Sequence, residues 1–298
     1  MDIKTFTPYR LLLSLSTHRL LDGMSDKLYL TLLYFFRMHK FIDWQSPKSY
    51  TEKLQWLKIN DRKPLYNTMV DKLLVRAYVS EEIGEKFLIP LVGYYNSYND
   101  IDFSTLPNEF ALKCTHGSHC SIVCFDKNTF DIERNRKLFE EWYNHEYFWA
   151  YREWPYKDLR PKIICEQLLK GEDGSVPTDY KVFCFNGKAH FIKLDLARYS
   201  NHQRVFYDLT WEKYELGWGK IADANLPKPK LLDKMIELSE KLAKPLPQAR
   251  IDWYISNNNL YFGEITFFDA GGFEKFDDYN KDLKVGALLN LNKYYETE

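Results

Sequence analysis

Along the chain the spacing of apolar and polar positions changes period several times, and each change marks an element. Residues 1 to about 45 read as helical and irregular, with few strand signals. Ser49-Tyr50-Thr51-Glu52 has the form of a capping box, and a helix follows through Leu54, Trp56, Leu57 and Ile59. The spacing predicts a second helix over 65–83, stopped at Gly84, on which Lys72 and Arg76 lie four apart and face the same way. Short strands are predicted at 88–95, 109–113 and 121–125, and helical spacing returns over 135–151. Strand-like runs follow at 162–168, 180–185 and 190–195, the last two joined by the hairpin dipeptide Asn186-Gly187. A helix over 231–242 leads into a final pair of strands. This order makes an α+β chain, without the regular alternation of a doubly wound fold.

That final pair, Ala249 to Ile255 and Leu260 to Phe268, is the most informative segment. Alternation puts Ile251, Trp253 and Ile255 on one face of the first strand, and Arg250, Asp252 and Tyr254 on the other. In the second strand Tyr261, Ile265 and Phe267 share the apolar face; Phe262, Glu264, Thr266 and Phe268 take the opposite one. Matching the apolar faces makes the three asparagines 257–259 the loop, pairs Ser256 with Leu260 and sets Asp252 opposite Glu264, with Arg250 facing Thr266. Two carboxylates directly across a ladder repel. A divalent cation between them reverses that sign, and oxygen ligands suit Mg2+. An ion pair in which Arg250 bridges both acids is the equally weighted alternative.

Other candidates are weaker alone. Phe110 to Cys120 reads as a strand carrying Lys113, then the short loop His116-Gly117-Ser118-His119. Such a loop can turn backbone N–H groups toward phosphate oxygens, yet it is more often a plain hairpin turn, and it is no Walker A sequence. Glu166 sits in the apolar run Ile163 to Leu169, either paired with a basic group or offered to ribose hydroxyls. Lys181 points to a phosphate or to solvent. Arg198 is a substrate clamp or a loop residue. Neither GxSxG nor GxGxxG occurs.

Composition narrows the class. At 298 residues and 45% hydrophobic, the chain can bury a large core; 28% charged residues with a net charge of −1 remove the electrostatic argument for nucleic-acid binding. Aromatics reach 17%, which serves a β-rich core first and a stacking surface second. The five cysteines form no CxxC pair, so neither a disulfide framework nor a zinc site is legible. The start lacks an apolar leader, and the stretch Leu28 to Phe36 is too short to span a bilayer, which reads as a cytoplasmic protein. The aromatic, partly basic segment Lys27 to Phe41 has the composition of a peripheral contact with the inner membrane face, although packing on its own domain reads better.

Seven segments in order carry a resemblance: Pro47 to Trp56; Asp71-Lys72 with Arg76; Leu106 to Lys113 with His116-Gly117-Ser118; Ile164 to Glu166; Asp179 to Lys188; Arg250-Ile251-Asp252; and Gly263 to Thr266. The chain resembles the TupA-like ATP-grasp family, whose members occur in bacterial teichuronopeptide, capsule and O-antigen gene sets. The likeness runs from about residue 45 to the C-terminus. It implies an ATP-grasp fold of two α+β subdomains gripping ATP: an N-terminal helical region over 1–60, then an ATP-grasp domain over 61–298 with its cleft between about 61–165 and 166–298. It implies nucleotide contacts from Lys72, Lys113, His116, Gly117, Ser118, Glu166 and Lys181. Arg250, Lys181 and Arg198 become the catalytic or substrate-facing residues, and Asp252, Glu264 and Thr266 the Mg2+ ligands. Thr266 departs from the usual Glu-x-Asn motif. The activity implied is an ADP-forming carboxylate–amine ligase that passes through an acyl phosphate. Its substrates would be a sugar uronic acid, lipid- or nucleotide-linked, and an amino acid or peptide amine. A nucleotide-sugar glycosyltransferase and a non-catalytic nucleotide-binding scaffold are the competing classes.

Overall fold

The computed structural model describes residues 7–171, 173–196 and 203–292. Two N-terminal helices open the chain, α1 (Pro8–Thr17) and α2 (Asp26–Met38), capped by the Thr7 and Ser25 side chains. They bury Tyr29, Leu30, Leu33 and Tyr34 in a small cluster with Ile42 and Phe273. Helix α3 (Tyr50–Asn60) starts at the expected capping box, with Ser49 and Glu52 satisfying each other's backbone N–H groups.

The helix predicted over 65–83 is two helices, α4 (Pro64–Val70) and α5 (Val75–Ile83). Asp71 breaks it: its carboxylate accepts from the N–H groups of Leu73 and Leu74 at 2.8 and 2.9 Å, a local bond that competes with the helical ladder. Lys72 therefore stands in the break, and it does not share a helical face with Arg76.

Four strands form the smaller sheet: β1 (Leu91–Tyr95), β2 (Phe110–Cys114), β3 (Ser121–Cys124) and β4 (Ile163–Gln167), in spatial order β1-β4-β2-β3. Between β3 and β4 the helical span 135–151 resolves into α6 (Ile132–Tyr143) and a single turn, α7 (Phe148–Tyr151). Phe139 of α6 packs with Phe110, Leu112 and Cys165 under the small sheet.

The larger sheet has β5 (Asp179–Phe185), β6 (Lys188–Leu196), β7 (Gln203–Tyr207), β8 (Gln248–Ser256) and β9 (Asn259–Thr266), ordered β7-β6-β5-β8-β9. All named pairings in both sheets are antiparallel, as an α+β chain requires. Asn186 and Gly187, both at positive φ, make the β5–β6 hairpin turn. Helix α8 (Leu232–Ala243) lays Met235, Leu238 and Leu242 on the apolar face, where Val182, Ile192, Leu194, Ile251 and Trp253 are buried. Helix α9 (Tyr279–Leu288) packs beside α3, and a Cβ on its Gly286 would meet the Lys48 carbonyl at 2.3 Å. Apolar residues of α3, α4 and α5 join the core of the large sheet.

The last hairpin differs from its expected register. Ser256 pairs with Asn259, so the turn is only Asn257-Asn258, both left-handed at φ 49° and 57°. That two-residue turn matches strand twist better than a three-residue loop. One residue of β9 is left over and is absorbed where the register shifts between Ile251 and Trp253. Arg250 still pairs with Thr266, but Gly263 and Glu264 together oppose Asp252, and beyond the bulge the faces exchange. Phe262 thus joins Trp253 in the apolar core, and Tyr261 pairs with Tyr254.

Candidate active site

Strand β2 points Leu112 and Cys114 into the small core and turns Ala111 and Lys113 the other way, opposite Val123 and Ser121 of β3. The loop 115–120 that joins β2 to β3 is clamped from two sides. Lys72 donates its backbone N–H to the Thr115 carbonyl at 3.0 Å and its Nζ to the Gly117 carbonyl at 2.6 Å. The Tyr147 hydroxyl donates to the Ser118 carbonyl at 2.7 Å, and its ring lies so close that a Cβ on Gly117 would stand 2.0 Å from it. Glycine is the residue that fits there. His116 is buried between Tyr143 and Tyr147 with neither ring nitrogen hydrogen-bonded. Burial and the nearby Lys72 hold its imidazole below the usual value, so it is neutral at pH 7.

Glu166 is buried on β4, with one oxygen 2.7 Å from Lys113 Nζ and the other 3.1 Å from Arg76 Nη1. In this arrangement it brackets two cations, and Lys113 is fixed by it at the rim of the cleft.

The large sheet offers the second wall. On the face away from α8, alternation gathers Asp179 and Lys181 of β5, Lys193 and Asp195 of β6, Arg250 and Asp252 of β8, and Glu264 and Thr266 of β9. Lys181, Lys193, Arg250 and Asp252 are all buried. Burial of this many charges stands only if each is paired. Arg250 donates Nε and Nη2 to the two oxygens of Asp252 at 2.7 Å each, Nη2 also to Glu264 at 2.9 Å, and Nη1 to Asp269. Lys181 contacts Asp179, Asp252 (3.4 Å) and Asp195 (3.6 Å); Lys193 donates to Asp269 at 2.5 Å. Burial pushes the Asp252 carboxyl up to about 6 despite Arg250 and Lys181. For Glu264 burial acts the same way, but Lys72, at 3.6 Å, and Arg250 outweigh it and hold the group at about 2. The pair thus titrates asymmetrically around one guanidinium.

Between the walls lies a cavity of about 160 Å³ lined by Lys72, Lys113, Gly117, Ser118, Asp252 and Glu264, among others. A second pocket of about 370 Å³ shares Lys113, Ser121, Asp179 and Tyr254 with it; the rest of its wall is mostly apolar, with Ile89, Ala111, Val123 and Leu169, and carries Gln167, Thr178 and Asp195 as its polar groups. A charged chamber therefore opens into an apolar slot.

Of the residues singled out in the sequence, Lys72, Lys113, Gly117, Ser118, Asp252 and Glu264 line one cavity. Lys181, Arg250 and Thr266 stand behind it, Thr266 donating to Glu264 at 3.1 Å. His116 lies beneath the loop, and Glu166 behind Lys113. Arg198 lies outside the described residues. The ion-pair alternative for the hairpin is realised, since Arg250 bridges both acids, and no group of three or more His, Cys, Asp or Glu side chains poised for a metal occurs among the described residues. The two carboxylates nevertheless converge on one cationic nitrogen. That donor chemistry fits Mg2+, which usually takes one or two carboxylates and completes its shell with phosphate oxygens and water.

Sequence reasoning gave no role to Lys193, Asp269 or Tyr147. Lys193 had a signal: it is a charge at an inward position of an apolar strand, level with Lys181. Asp269 lies in a turn, where periodicity carries no information.

The TupA-like ATPgrasp family model matches residues 52–290. No curated protein matches. Among solved structures, the chain is similar to D-alanine–D-alanine ligase from Bacillus anthracis, with 16% identity over 78% of this chain and 70% of that one, TM-score 0.48. It is also similar to the same ligase from Helicobacter pylori, with 13% identity, 82% and 67% coverage and TM-score 0.43. A third likeness is the ATP-grasp ligase PsnB, complexed with minimal precursor, Mg and ADP, with 12% identity, 80% and 65% coverage and TM-score 0.40.

Proposed function

The chain belongs to the TupA-like ATP-grasp family, and on that premise we propose that it is an ADP-forming ligase joining a carboxylate to an amine through an acyl phosphate. One observation carries the reading: Lys72, Lys113 and the Gly117-Ser118 loop face Asp252 and Glu264 across a single cavity, which opens into an apolar slot. ATP fits that gradient of polarity, with its base in the slot and its phosphates in the charged chamber. We read the two sheets as the halves that grip it.

In this reading Lys113 and the backbone of the loop bind the phosphates, and Lys72 fixes the loop by its bond to Gly117 while reaching toward Glu264. Asp252 and Glu264, with the Thr266 hydroxyl, would hold Mg2+, which when bound neutralises phosphate charge. Lys181 and Arg250 offset the charge that remains on the transferring phosphoryl group, and Arg198 completes the clamp. An oxygen of the substrate carboxylate attacks the γ-phosphorus. The P–O bond to ADP breaks, and an acyl phosphate forms. The amine then attacks the acyl carbon and expels phosphate. Tyr254 at the chamber wall keeps water from the acyl phosphate, and Tyr147 holds the loop that covers it through its bond to the Ser118 carbonyl.

The substrates are a uronic acid of a surface polysaccharide, lipid- or nucleotide-linked, and an amino acid or peptide. The protein works in the cytoplasm, and the exposed side chains of Leu28 and Phe41 would touch the inner membrane face. Among the described residues no helix is long and apolar enough to cross a membrane.

The test is ADP release from MgATP with a panel of uronic acids, each with and without an amino acid. ADP that requires both partners, with hydroxamate when hydroxylamine replaces the amine, is the expected result. Binding of UDP-sugars in place of ATP would instead mark a transferase, and MgATP binding without acceptor-dependent ADP a scaffold.

A further inference from the structure

Two of the five cysteines mark the ends of the loop that carries His116, Gly117 and Ser118. Cys114 ends β2, and Cys120 precedes β3. The ladder pairs Lys113 with Ser121, so the next pair outward is Cys114 with Cys120, and the Cys114 N–H donates to the Cys120 carbonyl at 2.9 Å. Residues directly opposite in an antiparallel ladder lie about 4.5–5.5 Å apart at Cα, within the roughly 4.4–6.8 Å that a disulfide requires. Both side chains belong to the core cluster of the small sheet, with Leu112 and Phe139. The other three cysteines face different residues: Cys124 pairs with Phe110, Cys165 with Leu112 and Cys184 with Ala249.

Cys120 also meets the chamber, whose wall it shares with Lys72, Lys113 and Glu264. Its thiol donates to the Ser118 carbonyl at 3.4 Å and lies 3.3 Å from the Tyr147 hydroxyl, which donates to the same carbonyl. The Cys114 thiol beside it, and the charge of Lys72, draw the Cys120 thiol below its usual value against burial. Cys114 is pushed the other way by Cys120 and by burial. Cys120 is thus the nucleophile of the pair, and Cys114 is placed to resolve it.

We propose that Cys114 and Cys120 form a peroxide-sensitive modification site, whose disulfide pins the phosphate loop and weakens MgATP binding. The Cys120 thiolate attacks one oxygen of hydrogen peroxide. The O–O bond breaks, leaving a sulfenic acid and, after proton uptake, water. The Cys114 sulfur then attacks the Cys120 sulfur, the S–O bond breaks, and hydroxide leaves with the Cys114 proton as a second water. Two electrons pass from the two thiols to the peroxide. The sulfurs must close from van der Waals contact to about 2.0 Å, and the S–H that donates to Ser118 is consumed. The loop is then tied at its base and has lost a donor to the carbonyl that Tyr147 also holds. The consequence for ATP rests on the ligase reading; formation of the disulfide does not.

The test treats reduced protein with hydrogen peroxide, with and without saturating MgATP, and follows it by intact mass, peptide mapping and ATP titration. The expected product is a cross-linked Cys114–Cys120 peptide, lighter by two hydrogen atoms. The oxidised protein should bind ATP about tenfold more weakly, the equivalent of one charge-assisted hydrogen bond, and dithiothreitol should restore it. MgATP in the chamber should slow the reaction. Cys120→Ser should form no cross-link and keep its own ATP affinity through the treatment, while Cys114→Ala, lacking the resolving thiol, should gain oxygen at Cys120. No cross-linked peptide in the wild type, a cross-link that leaves ATP affinity unchanged, or equal loss of affinity in Cys120→Ser would each overturn the proposal. Reduced wild type that binds no ATP would instead bring down the ligase reading and the consequence for ATP, while the peptide map still decides the disulfide.

Discussion

The two faces of the large sheet are built from the same strands and show opposite solutions to burial. Toward α8, Val182, Ile192, Leu194, Ile251 and Trp253 are removed from water with nothing polar except the Trp253 indole, which donates to Ser239 at 2.8 Å. On the other face Lys181, Lys193, Arg250 and Asp252 are buried almost as completely, as a network of charges. The first face gains stability with every apolar area it covers. The second gains little, since buried ion pairs seldom repay their desolvation against an apolar alternative. A sheet that carries both has given up stability on one side for a chamber of fixed charge, the preorganised environment that phosphoryl transfer needs.

Substitutions should separate the two faces. Asp252→Asn is the largest expected effect: turnover falls on the order of a hundredfold or more, the loss seen when one preorganised group is removed from a transition-state site. Melting changes little, because burial already brings the Asp252 carboxyl toward neutrality and Arg250 keeps Glu264 and Asp269. Trp253→Ala is the converse. It should cost about 3–5 kcal/mol in denaturant unfolding while the folded fraction keeps its activity. Were Trp253→Ala to abolish activity with little loss of stability, the division between the faces would fail. Smallest is Asn258→Gly in the β8–β9 turn. With φ at 57°, glycine relieves the strain there and should raise stability by about a few tenths of a kcal/mol. A loss above about 1 kcal/mol would speak against the two-residue turn and the bulge it creates.

The same contrast explains what the sequence reveals and what it hides. Alternation in Arg250 to Ile255 and in Tyr180 to Phe185 identifies the sheet and its charged face, because period-2 burial is a local property. The pairing of Asp252 with Glu264 is readable for the same reason, although the bulge opposite Asp252 is not: it follows from a turn one residue shorter than apolar matching alone suggests. The break at Asp71 escapes periodicity, since a side chain capping Leu73 and Leu74 competes with the helix without altering its apolar spacing. Asp269, which holds Arg250 and Lys193, reaches the site only through tertiary packing of a turn, and no spacing rule finds it.

Isothermal titration of the wild-type protein with ATP, in excess Mg2+ and then in EDTA, tests the central claim most directly. One ATP should bind per chain in Mg2+. Chelation should weaken it at least tenfold, and Lys113→Ala should weaken it by about 10–100-fold through loss of a charge-assisted bond. ATP binding of equal strength in EDTA, or unaltered by Lys113→Ala, would contradict the assignment of the chamber between the two sheets as the MgATP site.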